Sequence, residues 1–249
     1  MSFNALVYHE IKDKLDVNSV VAKPLKAANG YAINLPPALF LNSADFKAQM
    51  TYLVEANFHF LTMAEIRQFY EDGRDLPAKS ILITFDDAFQ SLKAVAYPIL
   101  KERGIKATLF VVSGWAFDQA PAAYDPSRSQ VLSWQEIDEL SDVFEFANHT
   151  HELHQLVEPG VNGVMTASLA ELKADLDRCQ AYVQHQDTFA YPFGFYNEQL
   201  VSHLETLGFR YAFTTKVGVN NRQTPTLLLN RSLVYTQMPF EQFKKIVHA

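Results

Sequence analysis

Cysteine is nearly absent. Cys179 is the only one, so no internal disulfide can form and the fold needs no oxidising compartment. Long apolar runs are missing as well: nothing approaches the roughly 20 residues that a membrane-spanning helix requires. Positive charge is the minority sign, with 21 lysines and arginines against 28 aspartates and glutamates and a formal net charge of -7. That balance makes a poor electrostatic partner for nucleic acid or an anionic membrane. What is abundant is hydrophobic side chain, 48% of residues, which excludes disorder. The opening residues Met1 to Glu10 lack a basic stretch followed by an apolar run and a small-residue cleavage site. This reads as a cytoplasmic chain, or as an extracellular or cell-wall one if the sequence is trimmed.

No repeat, low-complexity block or long linker interrupts the 249 residues, which read as one domain over 1–249. The least regular stretch, about 12–41, carries Asn29-Gly30, Pro36 and Pro37, which is turn chemistry, and reads as a surface excursion. Elsewhere strand-like runs recur: Ala5–His9, Ser80–Phe85, Ala107–Val112, Phe144–Asn148, Thr188–Tyr191, Tyr211–Thr215 and Leu227–Val234. The run Ile81–Phe85 is nearly all apolar, as for a strand covered on both faces. Helical patterns lie between. Ser43 is a candidate N-cap for a stripe of Phe46, Met50, Leu53 and Val54. Thr62–Glu65 and Ser133–Glu136 have capping-box spacing. Leu169, Leu172 and Leu176 form another stripe, with Glu171, Lys173 and Asp175 expected outside it. Strands alternating with helices imply parallel βαβ units, and about seven of them predict an α/β fold, a distorted, incompletely closed (β/α)7-type barrel. Chemistry in such a barrel collects at the C-terminal strand ends.

Three features fall there. Thr84-Phe85-Asp86-Asp87 ends an apolar strand in two adjacent carboxylates. They read either as an ordinary turn with one aspartate capping, or as a cation site with one aspartate as ligand and the other as base. Asn148-His149-Thr150-His151-Glu152-Leu153-His154 places three of the eight histidines in six residues. This is either a polar loop or part of a metal site. His149 and His154 would lie on different faces of a helix, so a shared ion needs the chain to curl out of its strand. Alternation points His151 away. Two histidines and one aspartate around a divalent ion leave positions for water and substrate. The third feature, Ala190-Tyr191-Pro192-Phe193-Gly194, is a sharp turn that offers a backbone N–H and an aromatic wall.

The combination resembles the polysaccharide deacetylase family, carbohydrate esterase family 4. The resemblance extends to Leu6-Val-Tyr-His9, the Phe46 and Leu61–Glu65 helix region, Pro98–Leu100 followed by Lys106–Phe110, and Gly208-Phe209. The His-Thr-x-x-Leu-His spacing and the Tyr-Pro-aromatic-Gly turn are similar to the branch that includes poly-N-acetylglucosamine deacetylases. The resemblance implies Asp86 as catalytic base, and Asp87, His149 and His154 as metal ligands. It implies Thr150 as the hydroxyl that braces their loop, the Phe193 N–H as oxyanion donor, and Tyr191 and Phe193 as groove walls. Three positions depart from the family pattern. Ala190 stands where an arginine often orients the base, leaving Arg231 or Arg128 to supply it. Asn230 stands where a late histidine often protonates the leaving amine, and His9 is a stand-in. Ala88 replaces the usual glycine, a change that fits a helix start.

The expected activity is metal-dependent removal of N-acetyl groups from an N-acetylated amino sugar or polysaccharide. Zinc is the expected ion, with cobalt or nickel as alternatives, and the expected partner is the glycan, with neither nucleic acid nor a membrane span. The rival readings are a non-sugar amide or O-acetyl ester on the same scaffold, and a non-catalytic glycan-binding barrel. Trp115 is a candidate to flank a sugar groove. Trp134 reads as packing beside its capping box, and His59, His185, His203 and His248 as surface or packing residues with no partner carboxylate at ligand spacing.

Overall fold

The computed structural model describes residues 1–13 and 24–249. Six strands run side by side in chain order across one curled sheet: β1 (Ser2–Tyr8), β2 (Ser80–Asp86), β3 (Ala107–Val111), β4 (Phe144–Asn148), β5 (His185–Ala190) and β6 (Tyr211–Phe213). Every neighbouring pair is parallel, which requires a crossover between each strand and the next. Burial at every position of β2 matches its apolar composition. Register brings the chemistry together: Tyr8 pairs with Phe85, Asp86 with Phe110, and Val111 with Asn148.

The seventh strand, expected over Leu227–Val234, is broken. Thr226–Leu228 is a 3-10 turn, Leu229 bridges Phe213 of β6, and only Ser232–Leu233 pairs, with Leu6 and Val7 of β1. The segment therefore touches both edges of the sheet with a bend between. Asn230-Arg231 interrupts the apolar run at that bend, and Arg231 is fully buried. The result is the expected distorted, incompletely closed barrel.

Inside the sheet, Phe3, Leu82, Phe110 and Phe213 meet Met63, Ile66 and Phe69 of the helix Met63–Glu71. That helix covers the N-terminal strand ends, where Met63 N–H donates to Glu145 and Arg67 pairs with Asp187. His59 and His185 belong to this end too. Each faces a carboxylate, Glu65 at 2.5 Å and Glu145 at 3.4 Å, in a pair that ties down this end of the barrel. The Thr62 and Ser133 capping boxes are both formed. The first long helix, Ser43–Glu55, is capped by Asn42 rather than Ser43, because the Asn42 side chain accepts the Ala44 N–H. Phe46, Met50 and Leu53 of its stripe are buried, whereas Val54 is exposed.

The excursion at 12–41 is more than surface. Its residues 14–23 lie outside the described residues. The remainder is tied down by Leu25–Lys26 pairing with Ser129–Gln130, and by burial of Leu25, Leu35 and Phe40. It forms one wall of the pocket described next.

Candidate active site

Asp86 is the last residue of β2, and Asp87 begins the turn beyond it. The Asp87 N–H donates to the Phe110 carbonyl at 3.1 Å, holding the turn against β3. Asp87 (φ 75°) and Ala88 (φ 54°) both adopt left-handed backbone, so Ala88 sits in a strained turn and not at a helix start. Thr150 (φ 80°) and Phe193 (φ 59°) share that conformation. A non-glycine residue held there costs of order 1–3 kcal/mol, and such residues persist where the surrounding structure over-determines them. Here Asp87 and Phe193 line one pocket, and Ala88 and Thr150 are each the chain neighbour of a residue that lines it.

Arg231 reaches Asp86 from the bend in the broken strand. Its Nη1 and Nη2 donate to the two carboxylate oxygens at 2.7 and 2.9 Å, and its Nε donates to the Thr214 carbonyl at 3.0 Å. The guanidinium also lies over the Phe110 ring, 5.1 Å from its centroid. Of the two arginines considered from the sequence, Arg231 is the one that holds Asp86. Arg128 instead pairs with Asp125 on the surface. Burial pushes the Asp86 carboxyl up, but Arg231, His149 and His9 together outweigh it and hold it down at about 2. His9 Nε2 stands 4.0 Å from Asp86. Burial lowers His9 to about 4 against the pull of Asp86, so its imidazole is neutral at pH 7.

The histidines follow β4 on a loop that leaves the strand at once, as a shared site requires. Its bracing was not foreseen. The Asp175 carboxylate accepts the backbone N–H groups of His151, Glu152 and Leu153 at 2.8, 2.7 and 3.0 Å. Asp175 is buried, not on the outside of its helix, and this corrects the sequence reading. The signal was present: Leu172, Asp175, Leu176 and Cys179 share one helical face, and an acid within an apolar stripe needs buried partners. The Thr150 hydroxyl is buried without a hydrogen-bond partner, so the brace comes instead from Asp175 and from Ser113, whose N–H donates to the Thr150 carbonyl. His151 turns aside, with Nδ1 2.8 Å from Ser113 Oγ. Asp175→Ala should therefore weaken metal binding about 10–100-fold, as is common when a partner behind the ligands is lost. Competition against a chelator measures it, and unchanged affinity would show that the loop holds its shape without this carboxylate.

Asp87, His149 and His154 converge. Asp87 Oδ1 lies 3.8 Å from His149 Nε2 and 3.6 Å from His154 Nε2, and the two ring nitrogens are 3.1 Å apart. Ligands about 2.0–2.1 Å from a tetrahedral ion stand about 3.3–3.4 Å from one another, so these residues fit a divalent cation. His149 Nδ1–H donates to the Ala190 carbonyl at 2.8 Å, which leaves the Nε2 lone pair facing the site. Asp87 Oδ1 is buried with no hydrogen-bond partner. Burial and the neighbouring Asp86 push the Asp87 carboxyl well up, and burial pushes His154 well down. A cation among these groups would offset the repulsion and burial that raise Asp87, and the lowered His154 is already the neutral imidazole that ligation needs.

These groups floor a cavity of about 240 Å³ whose walls are Ile33, Leu35, Leu39, Trp115, Phe193 and Leu233. Trp115 and Phe193 both pack on His154, with centroids 4.6 Å away in each case. Trp134 stacks on Tyr182 instead. Tyr191 is not a groove wall: it is buried, and its hydroxyl donates to the Leu227 carbonyl at 2.9 Å. The Phe193 N–H is not consumed by its turn, whose bonds run from Gly194 to Tyr191 and from Phe195 to Pro192. Asn230 lies outside this cavity and lines a neighbouring cleft.

Known proteins resemble this chain in sequence and in fold. The chain is 28% identical over 219 residues to the poly-beta-1,6-N-acetyl-D-glucosamine N-deacetylase of Staphylococcus aureus (strain MSSA476), covering 84% of this chain and 71% of that protein. Among solved structures, IcaB from Ammonifex degensii superposes with a TM-score of 0.74 at 25% identity, covering 100% of this chain and 97% of that one. The deacetylase PplD of Streptococcus pyogenes, solved in complex with acetate, shares the fold at a TM-score of 0.76 and 22% identity, covering 99% and 98%. The sequence model for the polysaccharide deacetylase domain matches residues 73–212. Since that span exceeds half the chain and carries the Asp86–Asp87 turn, the His149–His154 loop and the Phe193 turn alike, the chain belongs to the polysaccharide deacetylase family.

Proposed function

We propose that the chain removes N-acetyl groups from a poly-N-acetylglucosamine-type polymer, using a divalent metal held by Asp87, His149 and His154. The observation that carries this reading is the buried triangle of those three ligand atoms beside an arginine-held carboxylate. The polymer is the one named for the staphylococcal relatives. Two imidazoles and a carboxylate suit zinc, and cobalt or nickel would substitute. When bound, the ion supplies Lewis-acid charge for the amide carbonyl and lowers the pKa of the attacking water, narrowing the gap that the weakly basic Asp86 must bridge.

The chain's own residues do the rest. Asp86 takes the proton of the attacking water. Arg231 occupies one lone pair on each Asp86 oxygen and fixes the carboxylate plane, leaving the remaining lone pairs to face the cavity. The Phe193 N–H donates to the oxyanion that develops from the acetyl carbonyl. The apolar walls receive the acetyl methyl and exclude water from the reacting centre. The proton that Asp86 gains is passed to the departing amine, and His9, 4.0 Å away, is the group placed to assist.

The test is metal removal. Dialysis against a chelator should stop acetate release from N-acetylglucosamine oligomers, and zinc, cobalt or nickel should restore it. The same ion, at 100 times its dissociation constant, should add about 2.7 kcal/mol of folding stability. Turnover that persists in fully metal-free protein would overturn the reading.

A further inference from the structure

A second cleft lies beside the catalytic cavity. Its volume is about 420 Å³, and its lining includes Tyr196, Lys216, Gln223, Thr224 and Asn230. Neighbouring positions of the same segments serve both spaces. Gly194 lines the catalytic cavity and Tyr196 the cleft; Thr215 lines the first and Lys216 the second. Asn230 faces the cleft, while the next residue, Arg231, holds Asp86. Consecutive Cα atoms are about 3.8 Å apart, so the two spaces share a wall. At that wall a Cβ on Gly194 would come within 2.0 Å of Thr215 Oγ1, so the two segments are in direct contact.

The two linings differ in chemistry. The walls of the catalytic cavity are mostly aliphatic and aromatic, and its polar groups are largely the acid and imidazole side chains of the floor. The cleft presents amides, a hydroxyl and the partly exposed ring of Tyr196. Amides and hydroxyls both donate and accept, as a sugar's hydroxyls do, and a tyrosine ring offers an apolar face to the C–H side of a pyranose. The only charged group in the lining is Lys216, which is exposed and has no ion-pair partner among the described residues.

We propose that this cleft is a second saccharide subsite, holding the unit next to the one being hydrolysed and favouring it N-acetylated over amine-bearing. The inference rests on the deacetylase reading above. An N-acetylated unit is neutral there. A unit that has already lost its acetyl group carries an ammonium, and Lys216 repels it. The enzyme then works fastest on fully acetylated stretches and slows beside its own product, leaving acetyl groups interspersed along the polymer.

The experiment compares three probes on metal-loaded protein: N-acetylglucosamine, its fully N-acetylated tetramer, and an amine-bearing tetramer in which one unit keeps its acetyl group and its neighbours carry free amines. The wild type should hydrolyse the acetylated tetramer with the highest kcat/KM, the advantage lying in KM. Lys216→Glu should raise the kcat/KM ratio of the amine-bearing to the acetylated tetramer about two- to fivefold, the scale of an exposed charge interaction. Added salt should shrink the wild-type preference, because a Debye length near 8 Å at physiological ionic strength shortens further. A ratio that Lys216→Glu does not move overturns the subsite. Failure to release acetate from any of the three probes overturns the deacetylase reading instead.

Discussion

Asp86→Asn should lower kcat about 10²–10⁴-fold while the metal stays bound, the range typical of a lost general base. Asparagine keeps the shape of the side chain but cannot take a proton from water. In the native protein Asp86 is ionised throughout the working range, since burial is outweighed by Arg231, His149 and His9 and its pKa stays at about 2. The loss is therefore of the base itself, not of a fraction of molecules in the right protonation state, and raising the pH should not recover it. The readouts are kcat at saturating acetylated oligomer and metal content of the same sample. Near-normal turnover would remove Asp86 from this role. Loss of the ion would show that Asp86 helps hold it and that Asp87 alone is an insufficient carboxylate. The substitution also leaves the Arg231 guanidinium buried without a counter-charge, so activity is compared at a temperature where both proteins remain folded.

How much of this was legible in the sequence depended on how local each signal was. Capping boxes lie within four residues, and both were read correctly at Thr62 and Ser133. Buried parallel strands announce themselves as short apolar runs, and the first six were found within a few residues of their ends. The cluster of Asp87, His149 and His154 was legible because Asp86 and Asp87 are chain neighbours and His149 and His154 nearly so. Features built from distant segments were harder. Leu227–Leu229 and Leu233-Val234 are as apolar as any strand, so the run hid the bend at Asn230-Arg231 that turns an arginine inward. Asp175 was read by its charge and assigned to solvent, although its position on the Leu172–Leu176 face pointed the other way. Tyr191 was assigned to the groove because it neighbours Phe193. The backbone reverses between them, and only Phe193 reaches the cavity. The excursion looked like surface because turn residues dominate it. Ile33, Leu35 and Leu39 become a wall only when the barrel rim is there to meet them.

Arg231→Leu should cost about 3–5 kcal/mol of folding stability and abolish turnover, because it strands a buried carboxylate. Its signature is the pH dependence in metal-free protein. In the wild type the folded pKa of Asp86, about 2, lies below its usual value of 3.8. Its contribution to stability, about 2 kcal/mol, is thus present above pH 4 and is lost as pH falls toward 2. Loss of the guanidinium removes the largest influence that opposes burial, so the carboxyl is expected to rise above its usual value. The sign then reverses: the variant's contribution from Asp86 is present at low pH and is lost as pH rises through the new, higher pKa. The gap between wild type and variant should therefore be wide at pH 7 and narrow at pH 3, measured by denaturant midpoints. Asp87 and the histidines titrate in both proteins, so they largely cancel in that difference. A gap of constant width would mean that Arg231 stabilises through its contacts with Thr214 and Phe110 alone. A gap that narrows with acid ties the bend in the closing strand to the charge state of Asp86, the proposed base, so that the break in the barrel is what sets that carboxylate's ionisation.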